Sequence, residues 1–163
     1  GMTFWGNTAF CMWEEFMGVT IRRMRKDDGA ALFRLLSDPE VMRYLELPYD
    51  KARTEAFLMQ AGLCEAPLIY AVEEEGAFLG YVIDHPYEEG SVEIGWVLFP
   101  EYWGKGIASA LTDQLIGKAR QEGKSVVIEC VPAQEATKRI AEKKGFAFCG
   151  VHDGLEVYRL ENE

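Results

Sequence analysis

The sequence predicts an α/β (α+β) fold in which a mixed sheet carries helices on both faces. Strand-like and helix-like segments follow one another in the order β-α-α-β-β-β-α-β-α-β-β. The segment at residues 125–131 is almost continuously apolar, which is typical of a strand covered on both faces. The chain has 163 residues, of which 48% are hydrophobic and 27% are charged, so a single folded domain with its own core is expected.

The first half of the domain is expected to form one strand and two helices. Val19–Met24 has the pattern of the strand. Asp27 is the expected N-cap of the first helix, since a carboxylate there accepts hydrogen bonds from the unpaired N–H groups of the first turn. Thr54 is the expected N-cap of the second helix, and a short apolar segment, Val41–Leu45, lies between the two.

The second half contains most of the sheet. Two helices are expected, at Gly106–Glu122 and Glu135–Lys144, and the turns at Glu75-Gly76 and Asp153-Gly154 are typical of hairpins. The remaining strands are expected at Leu68–Val72, Ala77–Ile83, Ser91–Leu98, Ser125–Val131, Phe146–Val151 and Leu155–Leu160.

The negative charge is concentrated in one stretch. The chain has 27 Asp and Glu against 17 Lys and Arg, a formal net charge of −10. Residues 54–104 contain 10 acidic residues and no Lys or Arg, whereas residues 105–144 have 8 basic and 5 acidic residues, a net charge of +3. This balance argues against a nucleic-acid-binding role, which needs a basic surface.

The four cysteines are expected to be free thiols in a reducing cytoplasm. Cys11, Cys64, Cys130 and Cys149 form no C-x-x-C pair and have no histidine at metal-ligand spacing, so neither a disulfide framework nor a metal site is expected. There is no apolar run long enough to span a membrane and no signal-peptide pattern. A cytoplasmic protein without membrane association is therefore expected.

Residues 1–18 are expected to form an aromatic extension ahead of a single domain at residues 19–163. The extension contains five aromatic residues: Phe4, Trp5, Phe10, Trp13 and Phe16. Such a segment is too apolar to stand free in water. Packing on the body of the protein, packing on a partner subunit and closure over a substrate site all remain open, so a monomer or a homodimer is expected.

One strand–turn–helix segment carries the chemistry. Gly104 and Gly106 follow the strand Ser91–Leu98 and precede the long helix, so the turn can present backbone N–H groups at the helix N-terminus, where anions bind. A Walker loop is excluded because Lys105 is followed by glycine rather than Ser or Thr. A dinucleotide turn is a near miss, with Ser109 at its last position and Glu129 at a tolerable spacing for ribose. A turn without a ligand also remains open.

The same turn resembles the signature of the GCN5-related N-acetyltransferase (GNAT) family. The family pattern Gln/Arg-x-x-Gly-x-Gly/Ala places Trp103 at its first position, Gly106 at its glycine and Ala108 at its last position. A second block, Glu142-Lys-Lys-Gly-Phe146, is similar to the family's Glu-Lys-x-Gly-Phe segment. Together with Glu93-Ile-Gly-Trp, the Trp-Gly-Lys-Gly turn resembles the ribosomal-protein N-terminal acetyltransferase branch.

The resemblance extends from about Val19 to Leu160 and implies a GNAT-like central sheet, mixed but mostly antiparallel, of about six to seven strands. It implies acetyl-CoA as co-substrate, with the pyrophosphate on the turn, the pantetheine beside the preceding strand, and no metal. By this likeness, Gln134 replaces an Asn that often opens the next helix, and Thr137 matches a Ser that often lies near the sulfur. The implied cofactor-binding residues are Trp96, Val97, Leu98, Trp103, Gly104, Lys105, Gly106, Ile107, Ala108, Gln134 and Thr137.

Glu93 is the candidate catalytic base, with Thr137 as a hydrogen-bond donor near the sulfur. Strand alternation separates Glu93 from Ile94 and Trp96. A carboxylate beside the thioester can take the proton that an ammonium must lose before attack. An ordinary solvated strand residue is the alternative for Glu93, and an ordinary helix hydroxyl is the alternative for Thr137. The family's usual tyrosine acid is absent, because Ala141 stands at its position.

The function expected from these residues is acetyl transfer from acetyl-CoA to a primary amine of a small molecule or a protein N-terminus, by direct attack in a ternary complex. The acidic stretch before the turn favours a cationic amine. The alternative is a non-catalytic acyl-CoA sensor or interaction module of the same fold, which the missing tyrosine and the aromatic extension both suggest.

Overall fold

A computed structural model describes residues 18–162 and contains one seven-stranded sheet. The order across the sheet is β1-β2-β3-β4-β5-β7-β6, and every neighbouring pair is antiparallel except β4 and β5. The strands are β1 Val19–Arg22, β2 Ile69–Glu74, β3 Ala77–Pro86, β4 Ser91–Leu98, β5 Ser125–Cys130, β6 Ala147–His152 and β7 Leu155–Leu160. The predicted mixed, mostly antiparallel sheet is confirmed. The predicted extension lies outside the described residues apart from Gly18, so the domain division stays a prediction.

Helices cover both faces of this sheet, as predicted. The apolar residues of α1 form a buried cluster with Tyr81 and Val97, and those of α4 form a second cluster with Val82 and Ile94. Because successive strand residues point to opposite faces, neighbouring β4 residues serve different clusters. The helices of the described chain are α1 Gly29–Leu36, α2 Pro39–Met42, α3 Lys51–Phe57, α4 Ile107–Gln121 and α5 Glu135–Lys143, with a π-helical turn, Leu58–Gly62, after α3.

The first helix begins one residue later than predicted. Residues Lys26–Asp28 form a 3-10 turn, and Asp28 rather than Asp27 occupies the N-cap position of α1. The buried Asp28 carboxylate accepts hydrogen bonds from two guanidinium nitrogens of Arg22 (2.8 and 2.9 Å) and from the Arg25 backbone N–H (2.7 Å). This position is fixed because a buried carboxylate must be paired.

The predicted cap of the second helix is wrong. α3 begins at Lys51, because the Asp50 carboxylate accepts the Arg53 backbone N–H (2.8 Å). Thr54 lies buried inside the helix, and its hydroxyl donates to the Asp50 carbonyl oxygen (2.9 Å). Aspartate is at least as good a cap as threonine, and it comes first in the chain.

The two parallel strands separate after a short paired segment. β4 and β5 pair only at Ser91–Ser125, Val92–Val126 and Glu93–Val127. Beyond this point β4 stays paired with β3 as far as Leu98, and β5 stays paired with β7 as far as Cys130. A cleft, called here the β4–β5 cleft, therefore opens between residues 94–98 and residues 128–130.

A bulge in β3 lets the backbone of this strand approach β4 closely. Val72 pairs with Gly80 and Glu73 with Phe78, so Leu79 has no opposite residue. Gly80 has a φ of +147°, and a Cβ there would overlap the carbonyl oxygen of Val97. Glycine is therefore required at this position next to the strand that borders the cleft.

We expect Gly80→Ala to lower the free energy of unfolding by more than about 1 kcal/mol, since the new Cβ strains the backbone and meets a fixed carbonyl. Urea unfolding followed by circular dichroism measures the change. Gly117→Ala is the control, because Gly117 is exposed inside α4 with open space around it. It should raise stability by about 0.5–1 kcal/mol. Equal stability of both variants would contradict the required glycine.

Candidate active site

The turn between β4 and α4 exposes backbone amides at the start of a long helix. After Leu98, a 3-10 turn spans Pro100–Tyr102, and α4 begins at Ile107. Gly104 and Gly106 have φ values of +72° and +83°, a left-handed conformation that glycine adopts without strain. Both glycines of the predicted turn therefore stand where the backbone needs them.

These amides are available to an anionic ligand. The Ala110 N–H donates to the Gly106 carbonyl (3.0 Å), but within residues 18–162 no acceptor pairs with the N–H groups of residues 104–109. A Cβ at Gly104 would meet nothing within 4 Å, so the space beside the turn is open. The dipole of α4 adds positive potential at the same place. The turn therefore fits the phosphate groups of an anionic ligand.

Trp103 anchors the turn to the end of β4. Its indole N–H donates to the Leu98 carbonyl oxygen (2.9 Å), and its backbone N–H donates to the Pro100 carbonyl oxygen (3.0 Å). The side chain is nevertheless largely exposed, and so is Lys105 beside it. The turn is thus rigidly placed while its outer surface and one cationic side chain stay open to solvent.

The β4 residues that border the cleft have free backbone groups on one side. Trp96, Val97 and Leu98 pair with Val82, Tyr81 and Gly80 of β3, and no strand pairs with them on the side of β5. In an antiparallel pair every other N–H and C=O points away from the partner. The cleft therefore offers main-chain donors and acceptors to an extended ligand.

Glu93 lies where β4 and β5 begin to separate, on the sheet face opposite α4. Glu129 projects from the same face of β5, because it stands two residues after Val127, the partner of Glu93. Burial raises the pKa of Glu93; the nearby His85 lowers it, and the Glu129 carboxylate raises it again, leaving the pKa above its usual value. A half-buried carboxylate with a raised pKa is suited to accept a proton near neutral pH.

Tyr87 connects the loop before β4 to β5. Its hydroxyl donates to the Glu129 carboxylate (2.5 Å), and this hydrogen bond is the main cause that raises the pKa of Tyr87 to about 12. The loop is tied down by the Tyr87 backbone N–H, which donates to the Ser91 carbonyl (3.0 Å), and by an ion pair between Glu88 and Arg159 (3.2 Å). Tyr87 and Glu129 therefore form one polar wall beside Glu93.

The start of α5 contains the other predicted residues. The Gln134 side-chain oxygen accepts the Val131 backbone N–H (2.9 Å) and so closes the turn after β5. Thr137 is half-buried in the first turn of the helix. Ala141 is fully buried in the cluster under α4, so no hydroxyl is present at the position of the family's usual acid.

The thiols of the described residues are free, as expected. Cys64, Cys130 and Cys149 form no disulfide, while Cys11 lies outside the described residues. Cys130 ends β5 beside the cleft, but burial and the Glu156 carboxylate raise its pKa to about 11. A thiol with this pKa is a poor nucleophile at neutral pH, which agrees with a structural role.

A cavity of about 550 Å³ lies between the β2–β3 hairpin, the start of α1 and the Pro100–Tyr102 turn, just ahead of the glycine turn. Arg22, Arg25 and Arg34 line it together with three carboxylates, Asp27, Asp28 and Glu101. Since opposite charges balance on its walls, it offers no preference for a phosphate. No helix within residues 18–162 has the length and hydrophobicity that a membrane crossing requires.

The mixed, mostly antiparallel sheet and the glycine turn between β4 and α4 agree with the architecture that the resemblance above implies. The family profile "Acetyltransferase (GNAT) domain" matches residues 19–147. The chain therefore belongs to the GNAT family and is an N-acetyltransferase. The prediction of the family, and of an enzyme, is confirmed.

Individual relatives agree with this assignment. The uncharacterized N-acetyltransferase YnaD of Bacillus subtilis is 27% identical over 132 residues, covering 77% of this chain and 76% of YnaD. Among solved structures, spermidine N-acetyltransferase from Vibrio cholerae with CoA and spermine has a TM-score of 0.74 at 19% identity, covering 88% and 94% of the two chains. The ribosomal L7/L12 alpha-N-protein acetyltransferase RimL with coenzyme A has a TM-score of 0.74 at 17% identity, covering 92% and 97%. Both confirm the fold.

Proposed function

We propose that the protein transfers the acetyl group of acetyl-CoA to a primary amine, of a small molecule or a protein N-terminus, by direct attack in a ternary complex. The observation that carries the proposal is the position of Glu93 at the opening of the β4–β5 cleft, with the amide-lined turn at the other end of the same strand. The amine nitrogen forms a C–N bond as the C–S bond breaks, and the amine proton passes to Glu93.

The turn is the proposed site of the CoA phosphates, and the free edge of β4 is the proposed site of its extended arm. Unpaired N–H groups at residues 104–109 and the exposed Lys105 suit a pyrophosphate. Free donors along Trp96–Leu98 suit the amide groups of the pantetheine arm and can polarise the thioester carbonyl. Gln134 holds the turn at the opposite side of the cleft, and Thr137 is the proposed donor toward the sulfur.

The departing sulfur needs no tyrosine acid. A thiol has an ordinary pKa of about 8.5, low enough for the sulfur to depart as the thiolate and to take a proton from solvent afterwards. The buried Ala141 is compatible with this route, since the helix packs without a hydroxyl there.

We propose a cationic acceptor. Glu93 and Glu129 face the same side of the opening, so a positively charged amine meets two carboxylates there. The solved relative with spermine binds a polycation, which agrees with this proposal. The protein is proposed to act in the cytoplasm without nucleic-acid or membrane partners, as a monomer or a homodimer.

Acceptor charge can be tested directly with a thiol-release assay over amines that differ in net charge. We expect diamines, polyamines or basic peptides to be acetylated, and neutral or acidic acceptors to be poor, since the two carboxylates repel anions. A strong preference for an acidic acceptor would overturn the cationic class. Binding of acetyl-CoA without thiol release for any amine would instead indicate the sensor alternative.

Glu93→Gln is expected to lower kcat by about 100-fold or more, because the amide cannot take the amine proton. The Kd for acetyl-CoA, measured by calorimetry, should stay unchanged. Glu89→Gln is the matched control, since Glu89 is exposed in the loop before β4 and should leave both quantities unaltered. Equal losses of turnover and acetyl-CoA affinity in Glu93→Gln would contradict a base role.

Gly106→Val is expected to abolish acetyl-CoA binding, because a branched side chain at a left-handed position both strains the turn and covers its amides. Gly123→Val is its control. Gly123 has a similar φ of +71° and lies exposed after the C-terminal end of the same helix. That variant should bind acetyl-CoA normally. If a folded Gly106→Val protein still bound acetyl-CoA tightly, the proposal that the phosphates bind at this turn would be wrong.

A further inference from the structure

His85 faces Glu93 across the β3–β4 pair. The two residues are direct partners in the antiparallel register, so their side chains lie on the same face of the sheet. The His85 Nε2 atom is 3.6 Å from the Glu93 Oε1 atom. About a quarter of each side chain is exposed, 27% for His85 and 22% for Glu93, so both side chains are partly buried and still in contact with solvent.

The other ring nitrogen of His85 fixes which nitrogen carries a proton. Nδ1 lies 2.8 Å from the carbonyl oxygen of Pro86. A carbonyl oxygen only accepts hydrogen bonds, so Nδ1 must be the donor and must carry a hydrogen. In the neutral ring, Nε2 is then the nitrogen without a hydrogen, and it is the ring nitrogen that lies 3.6 Å from the Glu93 carboxylate. Nε2 of the neutral ring and the Glu93 carboxylate are therefore both acceptors, and neither can donate to the other until one of them is protonated.

Charged groups around the pair strengthen its hold on a proton. On the same face, Glu129 of β5 is close enough to raise the pKa of Glu93, and its carboxylate accepts the hydrogen bond from the Tyr87 hydroxyl. On the opposite face of β3, Asp84 is neutralised by Lys118 of α4 (3.1 Å). Arg159 of β7 is held by Glu88 and Glu161. No cation among the described residues other than a protonated His85 forms an ion pair with Glu93.

We propose that His85 is a positioning residue that acts through Glu93, so that the two side chains take up the amine proton as one unit. The proposal rests on the acetyltransferase function given above. The ammonium group of the acceptor loses one proton to the Glu93 carboxylate. That proton moves to Nε2 of His85, which becomes an imidazolium beside the regenerated carboxylate, while the other hydrogen stays on Nδ1 and is donated to the Pro86 carbonyl oxygen. The imidazolium then releases the Nε2 proton to solvent.

The imidazolium keeps Glu93 ionised. A positive charge on His85 lowers the pKa of the Glu93 carboxyl, so the carboxylate that meets the amine persists to lower pH while the ring is present. Activity is lost as pH falls through the pKa of Glu93, and this loss should occur at a higher pH when the imidazole is removed.

The experiment compares His85→Gln with wild type in the pH dependence of kcat/KM for a cationic amine. Glutamine can still donate a hydrogen bond to Glu93 but cannot accept a proton. We expect kcat at neutral pH to fall by about 10-fold and the acid limb to move to higher pH, with the Kd for acetyl-CoA unchanged. His152→Gln is the control, because His152 is an exposed residue of the β6–β7 hairpin beside Asp153 (3.4 Å) and should change nothing.

An unchanged acid limb and kcat in His85→Gln would overturn the proposal while leaving the acetyltransferase function intact, since the function fails only if wild type acetylates no amine. Nitrogen-15 NMR of the wild-type imidazole rings provides a second test that does not depend on the variant folding. The neutral ring of His85 is expected to carry its hydrogen on Nδ1. A hydrogen on Nε2 in that ring would contradict the shared-proton unit.

Discussion

The limited pairing of β4 with β5 is the constraint on which the site depends. β4 has seven paired positions with β3 but only three with β5. β3 holds β4 on the side away from the cleft, and β7 holds β5 on its side away from the cleft. The two strands can therefore separate while the sheet stays intact. Unpaired backbone groups inside a protein cost free energy unless a ligand or water satisfies them. The cleft therefore favours a ligand that brings its own amide groups, and the arm of CoA is such a ligand.

The neighbouring residues Asp84 and His85 show how one strand serves both faces of the sheet. The Asp84 carboxylate points toward α4, where burial raises its pKa and Lys118, at 3.1 Å, opposes that rise. His85 points the other way and meets Glu93. In the ion pair under α4, Lys118 is a permanent cation. In the pair at the cleft, His85 is a cation only when its ring is protonated. Of these two carboxylates, only Glu93 on the open face is therefore without a permanent cation as its partner.

Much of this could be predicted from the sequence, because local patterns decide it. β4 begins and ends at the predicted residues, Ser91 and Leu98, and the glycine turn leads into the long helix as predicted. The contact between His85 and Glu93 could not be predicted, since it depends on the register that the Tyr87–Gly90 loop sets between two strands. The contact between Tyr87 and Glu129 joins residues 42 positions apart and has no local signal. The cap at Asp50 was missed because two polar residues compete within one turn, and only the folded helix shows which one accepts.

The proposed preference for a cationic acceptor rests on two residues rather than on the whole acidic stretch. Glu73 binds Arg22 (2.6 Å) and Asp84 binds Lys118 on the face of the sheet opposite Glu93, so two of the ten acidic residues at 54–104 are neutralised by other partners. Glu93 belongs to that stretch, but its neighbour Glu129 comes from the basic stretch at residues 105–144. Exposed charges farther than about 8 Å from an acceptor are largely screened at physiological salt. The proposed preference for a cationic amine therefore rests on the short-range field of Glu93 and Glu129, which salt weakens much less than long-range steering.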